Sequence, residues 1–179
     1  METVTSVLAI VAAVGAVLLV LARLLAARVP GAAELGARVV SWRAPLTLAI
    51  AGVAMLGSLY FSESAHFVPC RLCWFQRVAM YPIAAIALIG LIRRDGGARW
   101  YIVPIAGVGA SISIYHYLIE WGVLNDSDSC ALFGPSCADV WYRDFGFVTL
   151  AFGALAGFVS ILVINTLSFD STRTAQETS

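Results

Sequence analysis

Four stretches of this chain run for 19 to 25 residues without a charged side chain, and this feature restricts its fold more than any other. Each stretch is long enough to cross about 30 Å of hydrocarbon as an α-helix. The chain is also 60% hydrophobic and only 12% charged, which is typical of an integral membrane protein. The four stretches are residues 3–22, 44–62, 100–119 and 145–169.

A fifth apolar run, residues 78–92, reaches spanning length only if its helix extends back through Arg77 towards Cys70 and Cys73. We therefore predict an all-α integral membrane protein with five spans, in which one extra N-terminal transmembrane helix precedes a four-helix transmembrane bundle. The predicted division is an N-terminal membrane anchor helix at 1–28, a cytoplasmic connection at 29–44, the bundle at 45–169 and a cytoplasmic tail at 170–179.

The basic residues indicate how the chain crosses the membrane. All 11 are arginines and the formal net charge is zero, so nothing suggests a nucleic-acid partner. By the positive-inside rule, the arginine-rich segments are cytoplasmic, the N-terminus is outside, the C-terminus is inside and all four cysteines are extracytoplasmic. The arginines that carry this prediction are Arg28, Arg38, Arg43, Arg93, Arg94, Arg99 and Arg173.

Two thiols stand at the start of the third predicted span, in the motif Pro69-Cys70-Arg71-Leu72-Cys73. The N-terminus of a helix favours a thiolate, so a Cys-x-x-Cys pair at this position is suited to disulfide exchange. Helical spacing predicts that both thiols share one face with Arg77. His116 is a further candidate, because an ionisable residue at membrane depth is usually functional.

A second pair, Cys130 and Cys137, lies in the largest polar loop with six residues between the cysteines. Such a pair can close a disulfide, and an exposed disulfide of this kind exchanges readily. The loop continues into residues 138–147, whose mixture of aromatic and charged residues predicts a short helix in the membrane interface.

Three interpretations of the four cysteines compete. A zinc site is disfavoured by the long second spacing and the oxidising compartment, so we expect no metal. A structural membrane protein stapled by disulfides explains the loop pair but not a second pair beside Arg77. A redox relay explains both pairs, with one disulfide for a soluble protein and one for a lipid-soluble electron acceptor.

The motifs resemble those of the DsbB disulfide-bond formation family, closest to its compact BdbC-like branch, over residues 45–168. Three features depart from that pattern: the extra first helix, a shorter spacing in the loop pair, and Ala151 in place of an expected proline. A vitamin K epoxide reductase-like quinone reductase has its two cysteine pairs in the opposite order. The matching residues are Pro69 to Arg77, Met80-Tyr81-Pro82, Tyr115-His116-Tyr117, Cys130, Cys137 and Trp141 with 145–149.

The resemblance implies a multi-pass protein of the bacterial cell (inner) membrane, embedded in the lipid bilayer, that uses a quinone (ubiquinone or menaquinone) as electron acceptor. By this similarity, Cys73 is the thiolate next to the quinone and Cys70 is its disulfide partner. Arg77 and His116 are then expected to bind the quinone.

The resemblance also implies an order of electron transfer from a soluble protein. Cys130 is expected to form a mixed disulfide with a thioredoxin-like extracytoplasmic thiol oxidase (DsbA-like). Cys137 is expected to exchange with Cys70. The chain would thus be a quinone-dependent protein-disulfide oxidoreductase that reoxidises its partner.

Overall fold

A computed structural model describes residues 2–26, 28–125 and 135–167, and this part of the chain is built from helices. Four helices are long and apolar enough to cross a membrane, and a fifth apolar helix at the C-terminal end has 17 residues. The predicted all-α membrane fold is confirmed. The helices are α1 (Glu2–Leu25), α2 (Pro30–Ser41), α3 (Arg43–Glu63), α4 (Arg71–Arg93), α5 (Arg99–Glu120) and α6 (Leu150–Thr166), with a 3-10 turn at Gly96–Ala98.

The last helix is shorter than the uncharged run that predicted it. α6 begins at Leu150, because Thr149 has an extended backbone and its hydroxyl accepts a hydrogen bond from the Phe152 N–H at 3.2 Å. The residues before it form a tight turn, in which Asp144 and Val148 exchange backbone hydrogen bonds of 2.9 Å. The helix predicted at 138–147 is therefore wrong, and the chain there is irregular.

The segment between the first two spans is more regular than a plain connection, since α2 occupies most of it. Pro30 stands in its first turn, where a missing N–H leaves nothing unpaired. Glu34 and Arg38 form an exposed ion pair at 2.7 Å, one turn apart. The predicted tail at 170–179 lies outside the described residues.

The core of the bundle joins α3, α4, α5 and α6 through small and aliphatic side chains around Phe158. Gly109 on α5 faces this ring so closely that a Cβ at this position would overlap it. α5 and α6 can therefore pack at short distance. α1 packs along α6, where Ala9 joins Ala156 in a smaller apolar cluster.

The order of the helices brings the sequence-predicted site together at one end of the bundle. α4 begins at this end with the Cys-x-x-Cys motif, and α5 finishes here with Glu120. The first turns of α1 also lie at this end, because Ser6 hydrogen-bonds Asp144.

Candidate active site

Cys70 and Cys73 are held as a close pair by the first turn of α4. Cys70 is the N-cap, with an extended backbone (φ −68°, ψ 170°), and its sulfur accepts a hydrogen bond from the Cys73 N–H at 3.3 Å. The two sulfur atoms, both present as thiols, are 3.0 Å apart. The pair therefore lies where free N–H groups and the helix dipole favour negative charge on sulfur.

The two thiols are not equivalent. The hydrogen bond that Cys70 donates to the sulfur of Cys73, together with burial, raises the pKa of the Cys70 thiol from 9.0 to about 12. The nearby His116 ring acts in the opposite direction but has the smaller effect. Cys70 thus keeps its proton and directs it to Cys73, which is the better placed of the two to carry a negative charge.

His116 contacts this pair from α5, where it is almost fully buried. Its Nε2 atom is 3.7 Å from the sulfur of Cys70. The ring also makes a hydrogen bond with the backbone of Cys137.

The hydrogen bonds behind His116 determine which ring nitrogen carries the proton. The Ser113 hydroxyl donates to the Gly109 carbonyl at 2.9 Å, so it can only accept from the Gln76 amide at 3.1 Å. The second hydrogen of that amide then points to Nδ1 of His116, 3.4 Å away. A neutral His116 therefore carries its proton on Nε2, facing the sulfur of Cys70.

Glu120 is a buried carboxylate one helical turn beyond His116. Its Oε1 atom is 3.8 Å from His116 Nε2, and both side chains are only 3% exposed. The Thr149 hydroxyl donates to the other carboxylate oxygen at 2.5 Å. Thr149 therefore satisfies one oxygen of this carboxylate, and the other oxygen lies next to the His116 ring.

Cys137 joins the first cysteine pair although it belongs to the loop. It is fully buried, in a cluster with Cys70, Leu72 and Ile119 that also touches Cys73. Cys130, its predicted partner, lies outside the described residues.

Arg77 does not share the space of the thiols. Its guanidinium donates to the Ser58 carbonyl at 3.0 Å and to the Ser62 hydroxyl at 3.3 Å, both on α3, and it stacks over Trp74. The prediction of one common space is wrong for two reasons. Cys70 is the N-cap of α4 and has an extended backbone, so the helical angle of 100° per residue does not apply to it. The long side chain of Arg77 extends to acceptors on α3, whereas the thiols face α5.

Within the described part of the chain, two cavities adjoin these residues. Cys70, Cys73 and His116 border a small one of about 10 Å³, which has room for about one water molecule. Arg77 borders a larger groove of about 450 Å³ between α3 and α4. Tyr81 also lines this groove, and its buried hydroxyl has no hydrogen-bond partner among the residues that the structure describes.

The described residues contain one trio with the chemistry and spacing of metal ligands. The two sulfur atoms of Cys70 and Cys73 and a ring nitrogen of His116 lie within 4.8 Å of one another. Structural zinc normally takes four protein ligands, so the trio alone would leave one position open.

Several residues of this site were not predicted from the sequence. Gln76 and Ser113 bind each other across α4 and α5, and Thr149 reaches Glu120 from α6. Only Glu120 had a usable signal, because it stands four residues after His116 and therefore on the same helix face.

A comparison with protein families identifies the chain. The model of the disulfide bond formation protein DsbB matches residues 41–168. The chain belongs to the DsbB family. Its predicted membership is confirmed, and α1 is the helix that lies wholly outside the matched residues.

Among related DsbB-family proteins, the chain is 43% identical over 111 residues to the probable disulfide formation protein C 1 of Bacillus anthracis, covering 62% of this chain and 80% of the relative. It is 41% identical over 114 residues to the disulfide bond formation protein C of Bacillus subtilis (strain 168), covering 64% and 83%. A probable disulfide formation protein C of Halalkalibacterium halodurans is 39% identical over 127 residues, covering 71% and 88%. No solved structure matches the chain.

Proposed function

We propose that this membrane protein is a thiol oxidase, which reoxidises an extracytoplasmic thioredoxin-like disulfide donor and passes the electrons to a membrane quinone. The observation that carries the proposal is the burial of the loop cysteine Cys137 beside Cys70 and Cys73. A disulfide that only staples the loop does not require Cys137 to lie beside the membrane pair. Thiol–disulfide exchange between the loop pair and the membrane pair does require it.

The first half of the cycle takes electrons from the partner. A thiolate of the reduced partner attacks Cys130 in a Cys130–Cys137 disulfide, and Cys137 leaves as a thiolate. The second partner thiolate then attacks the mixed disulfide, which releases the oxidised partner and a Cys130 thiolate. One disulfide is broken and one is formed, so the loop pair now holds the two electrons.

The second half moves these electrons to the membrane pair. The Cys137 thiolate attacks Cys70 of a Cys70–Cys73 disulfide, and Cys73 leaves. Cys130 then attacks Cys137, which restores the loop disulfide and frees Cys70. Cys73 is a suitable leaving group because the helix N-terminus stabilises its charge. Once Cys130 has freed Cys70, the Cys70 thiol donates a hydrogen bond to the Cys73 thiolate as well.

The groove beside α4 supports this proposal, because it offers a donor and an aromatic surface that suit a quinone ring. The Arg77 guanidinium can donate to a carbonyl oxygen, and Trp74 offers an aromatic surface. A quinone would supply the two-electron acceptor that restores the Cys70–Cys73 disulfide. His116 borders the thiols instead, so its role as a quinone contact stays a prediction.

Reconstitution tests the proposal. The purified protein in vesicles is mixed with a reduced DsbA-like protein and either ubiquinone or menaquinone, and partner disulfide formation is followed. Cys73→Ser and Cys137→Ser should each abolish oxidation while circular dichroism remains that of a folded helical protein. Arg77→Ala should raise KM for quinone more than KM for the partner.

Arg99→Ala is the matched control, since Arg99 is the same residue type at the opposite end of the bundle. It should leave both KM values unchanged. Quinone-dependent oxidation that survives either cysteine substitution would contradict the relay and favour a stapled structural protein.

A further inference from the structure

The helix outside the family match is bound to the candidate active site. Ser6, near the start of α1, is fully buried, and its hydroxyl donates to the Asp144 carboxylate at 2.8 Å. This bond joins residues 138 positions apart. This bond is partly buried. A hydrogen bond to a carboxylate is among the stronger ones in proteins, so it does more than add apolar contact between helices.

Asp144 opens a turn whose backbone is strained. It exchanges two backbone hydrogen bonds with Val148, both 2.9 Å long, and Phe145 between them has φ 51°. An aromatic residue rarely adopts this left-handed conformation, which persists only where the surroundings impose it. Two helices hold the turn: α1 through Ser6, and α5 through the Tyr117 hydroxyl, which donates to the Phe147 carbonyl at 2.9 Å.

The turn leads directly into the residues around the thiols. Thr149 follows it, caps α6 and donates to Glu120. Glu120 lies beside His116, which in turn contacts the sulfur of Cys70. A continuous series of contacts therefore runs from α1 to the Cys-x-x-Cys pair.

We propose that α1 is a built-in positioning element of the oxidase, and that Ser6 is the positioning residue through which it acts. By holding Asp144, Ser6 keeps the strained turn closed and so keeps Thr149 and Glu120 in place behind His116. The effect on turnover rests on the proposed oxidase function, whereas the effect on the turn does not.

Hydrogen exchange of the full-length protein measures the turn directly. Ser6→Ala should accelerate exchange of the Phe147 and Val148 amides about 10-fold, since a hydrogen bond to a charged group is lost. Asp144→Ala should give the same acceleration, and the double variant should exceed neither, because both remove one interaction. Asp144→Asn keeps an acceptor and should restore slow exchange.

Ser160→Ala is the matched control. The Ser160 hydroxyl shares its hydrogen between the Ala156 carbonyl of its own helix, at 2.7 Å, and the Ala12 carbonyl of α1, at 3.0 Å. It therefore also contacts α1 through a polar group, but it lies far along the helix from the turn. It should leave exchange in the turn unchanged. Oxidation of the reduced partner should fall several-fold in Ser6→Ala and stay near the wild-type rate in Ser160→Ala.

Two results would overturn the proposal. Exchange in the turn that is equal in Ser6→Ala and wild type would show that α1 does not hold it. Equal effects of Ser6→Ala and Ser160→Ala would show that α1 acts only by packing. A wild-type protein without oxidase activity would refute the proposed function alone, since the exchange measurement would still test the positioning of the turn.

Discussion

Replacing Gln76 with glutamate should reverse the hydrogen bond that determines the protonation of His116. In the wild type the Gln76 amide donates to Nδ1 of His116, so the single ring proton is on Nε2, where it faces hydrogen-bond acceptors. An ionised carboxylate has the same shape but can only accept. In Gln76→Glu both ring nitrogens therefore face acceptors, and His116 should carry a proton on each.

The magnitude follows from the geometry. A full charge 3.4 Å from the ring contributes about 5 kcal/mol of attraction at an effective dielectric constant of about 20. A neutral hydrogen bond contributes about 1 kcal/mol. The attraction offsets much of the cost of burying the carboxylate, so the variant should fold. A charged ring beside Cys70 would favour the thiolate there instead of on Cys73, and turnover should fall at least about tenfold.

The assay is nitrogen NMR of histidine-labelled protein, which is simple because the chain has two histidines. His66→Asn removes the other signal, and asparagine tolerates the φ of 57° found at that position. Wild type should show a neutral ring protonated on Nε2, and Gln76→Glu a doubly protonated ring. Ser111→Ala removes an exposed hydroxyl of the same helix that bonds the Gly107 carbonyl, and it should resemble wild type. An unchanged spectrum in Gln76→Glu, with turnover within twofold, would refute the reasoning.

Three further predictions concern stability and reactivity. Gly109→Ala should destabilise the fold by about 1–3 kcal/mol, because the added Cβ overlaps the Phe158 ring. Gly107→Ala should not, because the space around Gly107 is open. Thermal unfolding checks both variants. Thr149→Val should lower stability by about 1 kcal/mol and reduce turnover, and Thr149→Ser should retain both. At pH 8, reduced Cys70 should be alkylated roughly a thousandfold more slowly than a thiol of ordinary pKa, and more slowly than Cys73.

The raised pKa of Cys70 also makes the stability of the reduced protein depend on pH. Because folding raises the pKa of Cys70 above 9.0, its thiol form stabilises the reduced protein below pH 9, and this contribution is lost as the pH approaches 12. Trypsin cleaves after Arg71, so the two cysteines are read on separate peptides. Faster labelling of Cys70 than of Cys73 at pH 8 would contradict the assigned hydrogen bond.

Much of the helical architecture could be predicted because uncharged length is a direct consequence of membrane thickness. The start of α6 could not, since the run that predicts it includes a turn with Phe145 in a left-handed conformation, which side-chain hydropathy does not encode. The same turn explains why the short helix predicted at 138–147 from the mixture of aromatic and charged residues is absent from these described residues. Local composition favours a helix there, and contacts from α1 and α5 impose another backbone.

The sequence predicts those site residues whose role follows from their own residue type or from their position within one helix. Cys70, Cys73 and His116 were identified in this way, and the structure brings them together. Gln76 was missed because its meaning depends on which residues of α5 lie opposite it. Arg77 was misplaced because its acceptors belong to α3, and no spacing within α4 indicates that neighbour.

The central claim is that electrons pass between the loop pair and the membrane pair through Cys137 and Cys70. Disulfide mapping of the Cys73→Ser, Cys130→Ser double variant tests it most directly, because this protein retains only those two cysteines. Under mild oxidation in vesicles, the account predicts a Cys70–Cys137 disulfide in most molecules. Two cysteines that are both alkylated when the variant, folded during the oxidation, is afterwards denatured would contradict it.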